Sequence, residues 1–237
     1  MSWLERELRR RLAQRRASRT DADADDFSMR AGYPYMLGVY LAVNAIRDAF
    51  CLVEGPDCIH MKTQYIQGNH DWLASLVSVS GKHRIANTAL HPEQMAGSRE
   101  DVLTERLDAM AADGEVSGLL LTAMPMAAVT AVDHRRLCRR VAERHGKDVV
   151  EIPGLSLSGD WLTGYRQALK SIAERISLPR VRKGRRKVAV VGYLFDRNED
   201  DHAANLQILR EMFRLVGLDV VSVWLEGGNW RQLRRVA

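Results

Sequence analysis

Short, almost unbroken apolar runs alternate along this chain with longer stretches in which apolar residues recur every three or four positions. The runs are FCLVEG (50–55), HRIANTAL (83–90), VSGLLLTAM (116–124), DVVEIPG (148–154), KVAVVGYLF (187–195) and LDVVSVWL (218–225). Between them, Leu41, Ala42, Ala45, Ile46 and Ala49 recur at helical spacing and predict a helix over 38–49. Leu103, Leu107 and Met110 share one face behind Ser98, which reads as a helix cap with Asp101 three residues on; Gly114 ends that helix. A basic helix over 128–145 stops at Gly146, and Trp161, Tyr165, Leu169 and Ile172 mark another over 160–177. A further helix spans 200–216. Residues 1–17 read as a basic amphipathic helix followed by a polar stretch.

A run such as VSGLLLTAM, apolar on both faces, suits a central parallel strand covered on both sides. Its repeated alternation with helices predicts an α/β fold with a doubly wound, mostly parallel, Rossmann-like sheet. Right-handed crossovers then gather the loops that follow the strands on one edge. That edge would carry Gly55-Pro56-Asp57-Cys58, the His91 region, Met124-Pro125 and the loop from Gly154. The domain plan is a basic and polar segment (1–29), a first α/β domain (30–178), a basic linker (179–187) and the start of a second α/β domain (188–237). One βαβ unit cannot cover both faces of its own sheet, so the sequence is expected to be a truncated form of something longer.

Charge and cysteine content narrow the function classes. The net charge of +5 is uneven: seven arginines fall between Arg6 and Arg19, and six basic residues between Arg180 and Lys187. No aromatic residues interleave with these runs, so nucleic-acid binding is not supported and solvated surfaces are expected. Three cysteines without a CxxC pair argue against a disulfide framework and a self-contained zinc site, and point to a reducing, cytoplasmic setting. No apolar run reaches the length of a membrane span, so no membrane partner is expected.

The chemistry-bearing candidates cluster after the first strand. Cys58 stands at the mouth of the Gly-Pro turn, with Glu54 and Asp57 beside it, and Cys51 lies within the strand before it. His60 and His70 flank a polar loop containing Lys62, Gln64, Gln67 and Asn69. His134, His145 and His202 read as surface groups, and Cys138 as a packed structural thiol. The loop Gly154 to Gly159 matches neither nucleotide-binding glycine pattern, and no catalytic triad stands out.

Several landmarks, taken in order, resemble the nitrogenase component 1 type oxidoreductases, the family of the molybdenum-iron protein subunits and of the dark-operative protochlorophyllide reductase catalytic subunits. Gly38 opens a helix like the family's Gly-Ala start. VEGPDC resembles its His-Gly-Pro-x-Gly-Cys turn, and LLLTAMP the strand that ends in Cys-Pro. VEIPGLSLSGDWLTGYRQAL resembles its Gly-Tyr-x-x-Ala segment, and the stretch from VVGYLF to LVGLDV the start of its second domain. The resemblance implies an oxidoreductase subunit or fragment that takes electrons from an ATP-dependent iron-sulfur reductase. The electrons would pass through an iron-sulfur cluster at the interface with a homologous component 1-type subunit, in a hetero- or homo-oligomer. Of the three family cysteine positions only Cys58 keeps a thiol; the others fall near Pro34 or Tyr35 and at Met124. Cys58 is therefore the implied ligand, with Cys51, Asp57 and Glu54 as further cofactor donors and His60 joining Cys58 at the metal. The alternative is a non-catalytic scaffold or assembly protein that keeps the fold and has lost the cluster. Nothing in the sequence supports nitrogen reduction.

Overall fold

The computed structural model describes residues 34–58, 80–95, 97–130, 132–155, 159–178, 184–193 and 201–235. Within these, β1 (Ala49–Glu54), β2 (Ile85–Asn87), β3 (Gly118–Ala123) and β4 (Asp148–Glu151) form one sheet. Its order is β2–β1–β3–β4 and every pairing is parallel. All residues of β1 and β3 are buried, which is why these strands are unbroken apolar runs in the sequence. The doubly wound α/β architecture expected from the alternation is the one observed.

The two-residue period of the strands sorts their side chains between two helix layers. Cys51, Val53, Leu120 and Val150 face α1 (Tyr35–Asn44) and α4 (Trp161–Arg175). Phe50, Leu52, Leu119, Leu121 and Val149 face α2 (Glu100–Ala112) and α3 (His134–His145). In the first layer α1 and α4 cross backbone to backbone. A Cβ added to Gly38 would lie 1.7 Å from the carbonyl oxygen of Trp161, and one added to Gly164 would lie 2.0 Å from that of Tyr35.

Three elements differ from their expected limits, each for a local reason. The helix expected over 38–49 runs instead from Tyr35 to Asn44. The buried guanidinium of Arg84 donates through Nη1 to the carbonyls of Val43 (2.9 Å), Ile46 (2.7 Å) and Ala49 (3.0 Å). Those oxygens are thereby satisfied outside the helix, the chain turns, and β1 begins at Ala49. The helix expected over 128–145 starts at His134, because the Asp133 carboxylate caps it by accepting from the Arg136 amide at 2.9 Å. The strand expected over 83–90 is only Ile85–Asn87. Asn87 Oδ1 accepts from the Ala89 amide at 2.9 Å, and Ala89 takes a positive φ of 48°.

After the basic stretch, β5 (Lys187–Val190) and β6 (Asp219–Val223) pair in parallel across the helix α5 (His202–Leu215), and α6 (Trp230–Leu233) follows. Trp224, Leu225, Trp230 and Leu233 belong to the same buried cluster as α1 and α4. Polar contacts tie α6 to the amino end of the first sheet. The Trp230 amide donates to Asp48 Oδ1 at 2.6 Å, and its indole Nε1 donates to Asp148 Oδ2 at 2.7 Å. Its ring lies against Gly118, where a Cβ would come within 2.2 Å. No helix among the described residues is long and apolar enough to cross a membrane.

Candidate functional site

The carboxyl edge of the sheet is where the chain's polar chemistry converges. β1 ends at Glu54 and leaves the sheet through Gly55 and Pro56. The turn is fixed on both sides: the Gly55 amide donates to Thr88 Oγ1 at 3.1 Å, and the Leu90 amide to the Gly55 carbonyl at 2.9 Å. Asp57 and Cys58 then project into solvent, so Cys58 offers an exposed thiol at the mouth of this edge.

Glu54, one position before the turn, does the reverse. By strand alternation it belongs to the α2/α3 layer, and its side chain is 0% exposed. Glu54 Oε2 lies 2.5 Å from His134 Nε2, at the first residue of α3. Glu54 Oε1 lies 3.5 Å from Nε of Arg99, just ahead of α2. Arg99, itself buried, donates through Nη1 to Gln94 Oε1 at 3.1 Å. Glu54 Oε1 and Arg99 Nε and Nη2 are buried and make no hydrogen bond among the described residues. Leaving such atoms unsatisfied carries a desolvation cost of about 1–3 kcal/mol each. The carboxylate, imidazole and guanidinium form a buried acid–base and ion-pair cluster four residues from an accessible thiol.

The other two cysteines are core residues. Cys51 lies inside β1, paired with Ile85 and Leu120 in the neighbouring strands, and is fully buried. Burial above all, and then Cys138, push its thiol well above the usual range. Cys138 packs on the opposite face; burial first, then Glu151, push it up to about 12. On the Cys51 face, the buried Tyr40 hydroxyl has no hydrogen-bond partner among the described residues. Burial and then the nearby Cys51 and Cys58 raise that phenol far above its ordinary value.

The edge thus brings together Glu54, Asp57 and Cys58 from the sequence-derived set, while Cys51 sits in the middle of the sheet. His60 and His70 lie outside the described residues, as does the loop over 156–158. Met124 is half-buried at the end of β3, and Pro34 precedes α1. Among the described residues no group of three or more His, Cys, Asp or Glu side chains is placed to hold a metal. A thiolate cluster needs several converging soft ligands. One copy of this chain brings one accessible thiol to the edge and does not by itself make such a site. Sequence reasoning missed Arg99 and His134. Both stand at the starts of crossover helices, which the topology delivers to this edge, and that position was the available signal. His134 is not the surface group expected, since its imidazole is engaged by Glu54. His202 is likewise engaged, with its Nδ1 2.8 Å from the Tyr193 hydroxyl.

Comparison with known proteins bears on this edge. The family model described as nitrogenase component 1 type oxidoreductase matches residues 34–237. No curated protein sequence matches the chain. Among solved structures, "Nitrogenase Cp1 at pH 6.5" superposes with a TM-score of 0.62 at 10% identity, covering 81% of this chain and 40% of that one. "Nitrogenase Cp1 at pH 5" superposes with a TM-score of 0.63 at 12% identity, covering 86% and 41%. At these identities the likeness is one of fold. The chain spans about two-fifths of the length of the solved structures it matches.

Proposed function

The chain belongs to the nitrogenase component 1 type oxidoreductase family, and from that premise we propose that it is a component 1-type subunit or subunit fragment serving electron transfer. In this reading it receives electrons from an ATP-dependent iron-sulfur reductase by way of an iron-sulfur cluster shared with a homologous partner subunit. The observation that carries the reading is the exposed Cys58 thiol on the carboxyl edge of a component 1-type sheet. Because a single copy lacks the remaining thiols, the partner must supply most of the ligands, a division that symmetric or pseudo-symmetric interfaces make possible. Asp57 and His60, neighbours of Cys58 in the sequence, are the donors proposed to complete this chain's share. The Glu54 carboxylate is already engaged by His134 and Arg99, beneath the turn and facing the α2/α3 layer. Cys51 contributes only if the strand opens. A bound cluster would supply one-electron redox chemistry; this chain's own task is to present a thiolate and an ordered turn to it.

The test is anaerobic reconstitution of the full chain with iron and sulfide, followed by metal and sulfide quantitation and paramagnetic resonance of the reduced sample. The expected result is bound iron and sulfide, lost in Cys58→Ala while the circular dichroism spectrum is kept. Iron retention unchanged by Cys58→Ala overturns the reading. A folded, monodisperse protein that takes up no iron leaves either a cluster completed only by the partner subunit's ligands or the scaffold or assembly role.

A further inference from the structure

The opposite edge of the sheet carries a second feature that the electron-transfer reading does not use. At the amino end, where β3 and β4 begin, the chain encloses an open cavity of about 730 Å³. Its walls include Val116, Lys147, Trp230, Arg231, Arg234 and Arg235, and no acidic side chain is among its described lining residues. This volume falls in the roughly 300–1,000 Å³ range of small-molecule sites. The cations are not equivalent. Arg234 is held in place by Asp148, with Nη2 at 2.6 Å and Nε at 3.2 Å from Oδ2, the oxygen that also accepts the Trp230 indole. Lys147 Nζ donates to the Asp113 carbonyl at 2.6 Å. Lys82 and Lys147 both act on the Asp113 carboxyl, and Glu115 adds its charge near Lys82. Asp148 thus offsets Arg234, and Asp113 with Glu115 offset Lys82 and Lys147. Among the described residues, Arg231 and Arg235, both exposed at the cavity, remain as its excess positive charge.

We infer that this cavity is a binding site for a small, doubly charged organic anion of the phosphomonoester kind. Two guanidinium groups in excess match a charge of about −1.5 to −2 at neutral pH. Their planar forks suit the oxygens of a phosphoryl group. Gly114 and Gly146, whose Cα positions face open space, let the anion approach the backbone closely. Val116 and Trp230, both buried, form the floor of the cavity, and the methylene stems of the exposed Arg231 and Arg235 offer the apolar contact for the organic part. Arg234 forms part of the frame through Asp148, whereas Arg231 and Arg235 act as the anion's own contacts. The site lies at the far edge of the sheet from Cys58 and shares no residue with the candidate cluster position.

The experiment is isothermal titration of the full chain with phenyl phosphate and, separately, with inorganic phosphate, at low and high salt. Phenyl phosphate is expected to saturate one site, more tightly than inorganic phosphate, and to weaken with salt as exposed charges are screened. The double variant Arg231→Ala with Arg235→Ala is expected to lose roughly tenfold or more in affinity, since each removes a charge-assisted contact. Its urea midpoint should stay at the wild-type value, because neither side chain belongs to the Asp148 network. The inference is overturned by the absence of saturable phenyl phosphate binding, by equal affinity for inorganic phosphate, or by binding that the double variant leaves intact. It is also overturned if an acidic peptide binds through these arginines and phenyl phosphate does not.

Discussion

The Glu54 carboxylate and the His134 imidazole meet at 2.5 Å under the carboxyl edge of the sheet, although 80 positions separate them in the chain. Arg99 closes the group from the other side. Glu54→Ala leaves a buried guanidinium without its carboxylate, and breaking a buried pair from one side costs about 3–5 kcal/mol. Glu54→Gln keeps the volume and a contact to His134 and should cost less. Urea unfolding of the two variants checks the order; equal losses would mean that charge is not what holds the cluster.

Thiol reactivity should divide the cysteines cleanly. Cys58 is exposed, whereas Cys51 and Cys138 are buried and their thiols pushed upward by that burial. The thiolate is the reactive form, so a maleimide at neutral pH should label one site per folded chain, and Cys58→Ala should abolish it. In denaturant all three cysteines of the chain should react. Labelling of Cys51 under native conditions would show that β1 opens.

The crossing of α1 and α4 leaves no room for a methyl group. Gly38→Ala and Gly164→Ala each drive a Cβ into a backbone carbonyl, which cannot move aside as a flexible side chain would. Overpacking of this type costs about 1–3 kcal/mol, and more where the backbone must shift. Gly97→Ala, at a position facing open space, should stay within about 0.5 kcal/mol of wild type. Thermal melts of the three variants give the comparison.

Asp160 adds a pH-dependent term. Its Oδ1 accepts from the Thr163 amide at 2.9 Å and from the Thr163 hydroxyl at 2.7 Å. Those bonds hold its carboxyl below the ordinary value of 3.8. A carboxyl with a depressed folded value contributes stability that is fully present above its unfolded value and is lost as pH falls through the folded one. Asp160→Ala should cost about 1 kcal/mol at neutral pH, as for other helix caps. The gap to wild type should narrow once the pH drops below 3.8, the ordinary value. Melting both proteins across that interval tests the sign; a gap that widens in acid would refute the assignment.

The sheet was legible because its signal is local. Gly118–Ala123 is buried on both faces, and its sequence says so without reference to any other part of the chain. The turn at Gly55-Pro56 and the exposed position of Cys58 follow from residues a few places apart. The Glu54 cluster was not legible, because its members come from a strand end and two separate helix starts and meet only through the fold. His134 was obscured by its exposed neighbours Arg135 and Arg136, which make the helix start look wholly solvated. The limits of α1 failed for the same reason: the group that ends it, Arg84, lies about forty residues away.

The attachment of Trp230 to Asp48 and Asp148 also bears on how the chain is made. Both aspartates leave the ribosome long before residue 230, with 182 positions between Asp48 and its partner. In that interval the strands and most helices of the first sheet are already available. The surface around Gly118, however, is uncovered, and the Asp148 carboxylate lacks both Trp230 and Arg234. A nascent chain that has not yet reached Trp230 would expose this amino edge if its first sheet had already formed. Sealing it depends on contacts of long sequence separation, the kind that close last and leave an edge open to aggregation in the meantime.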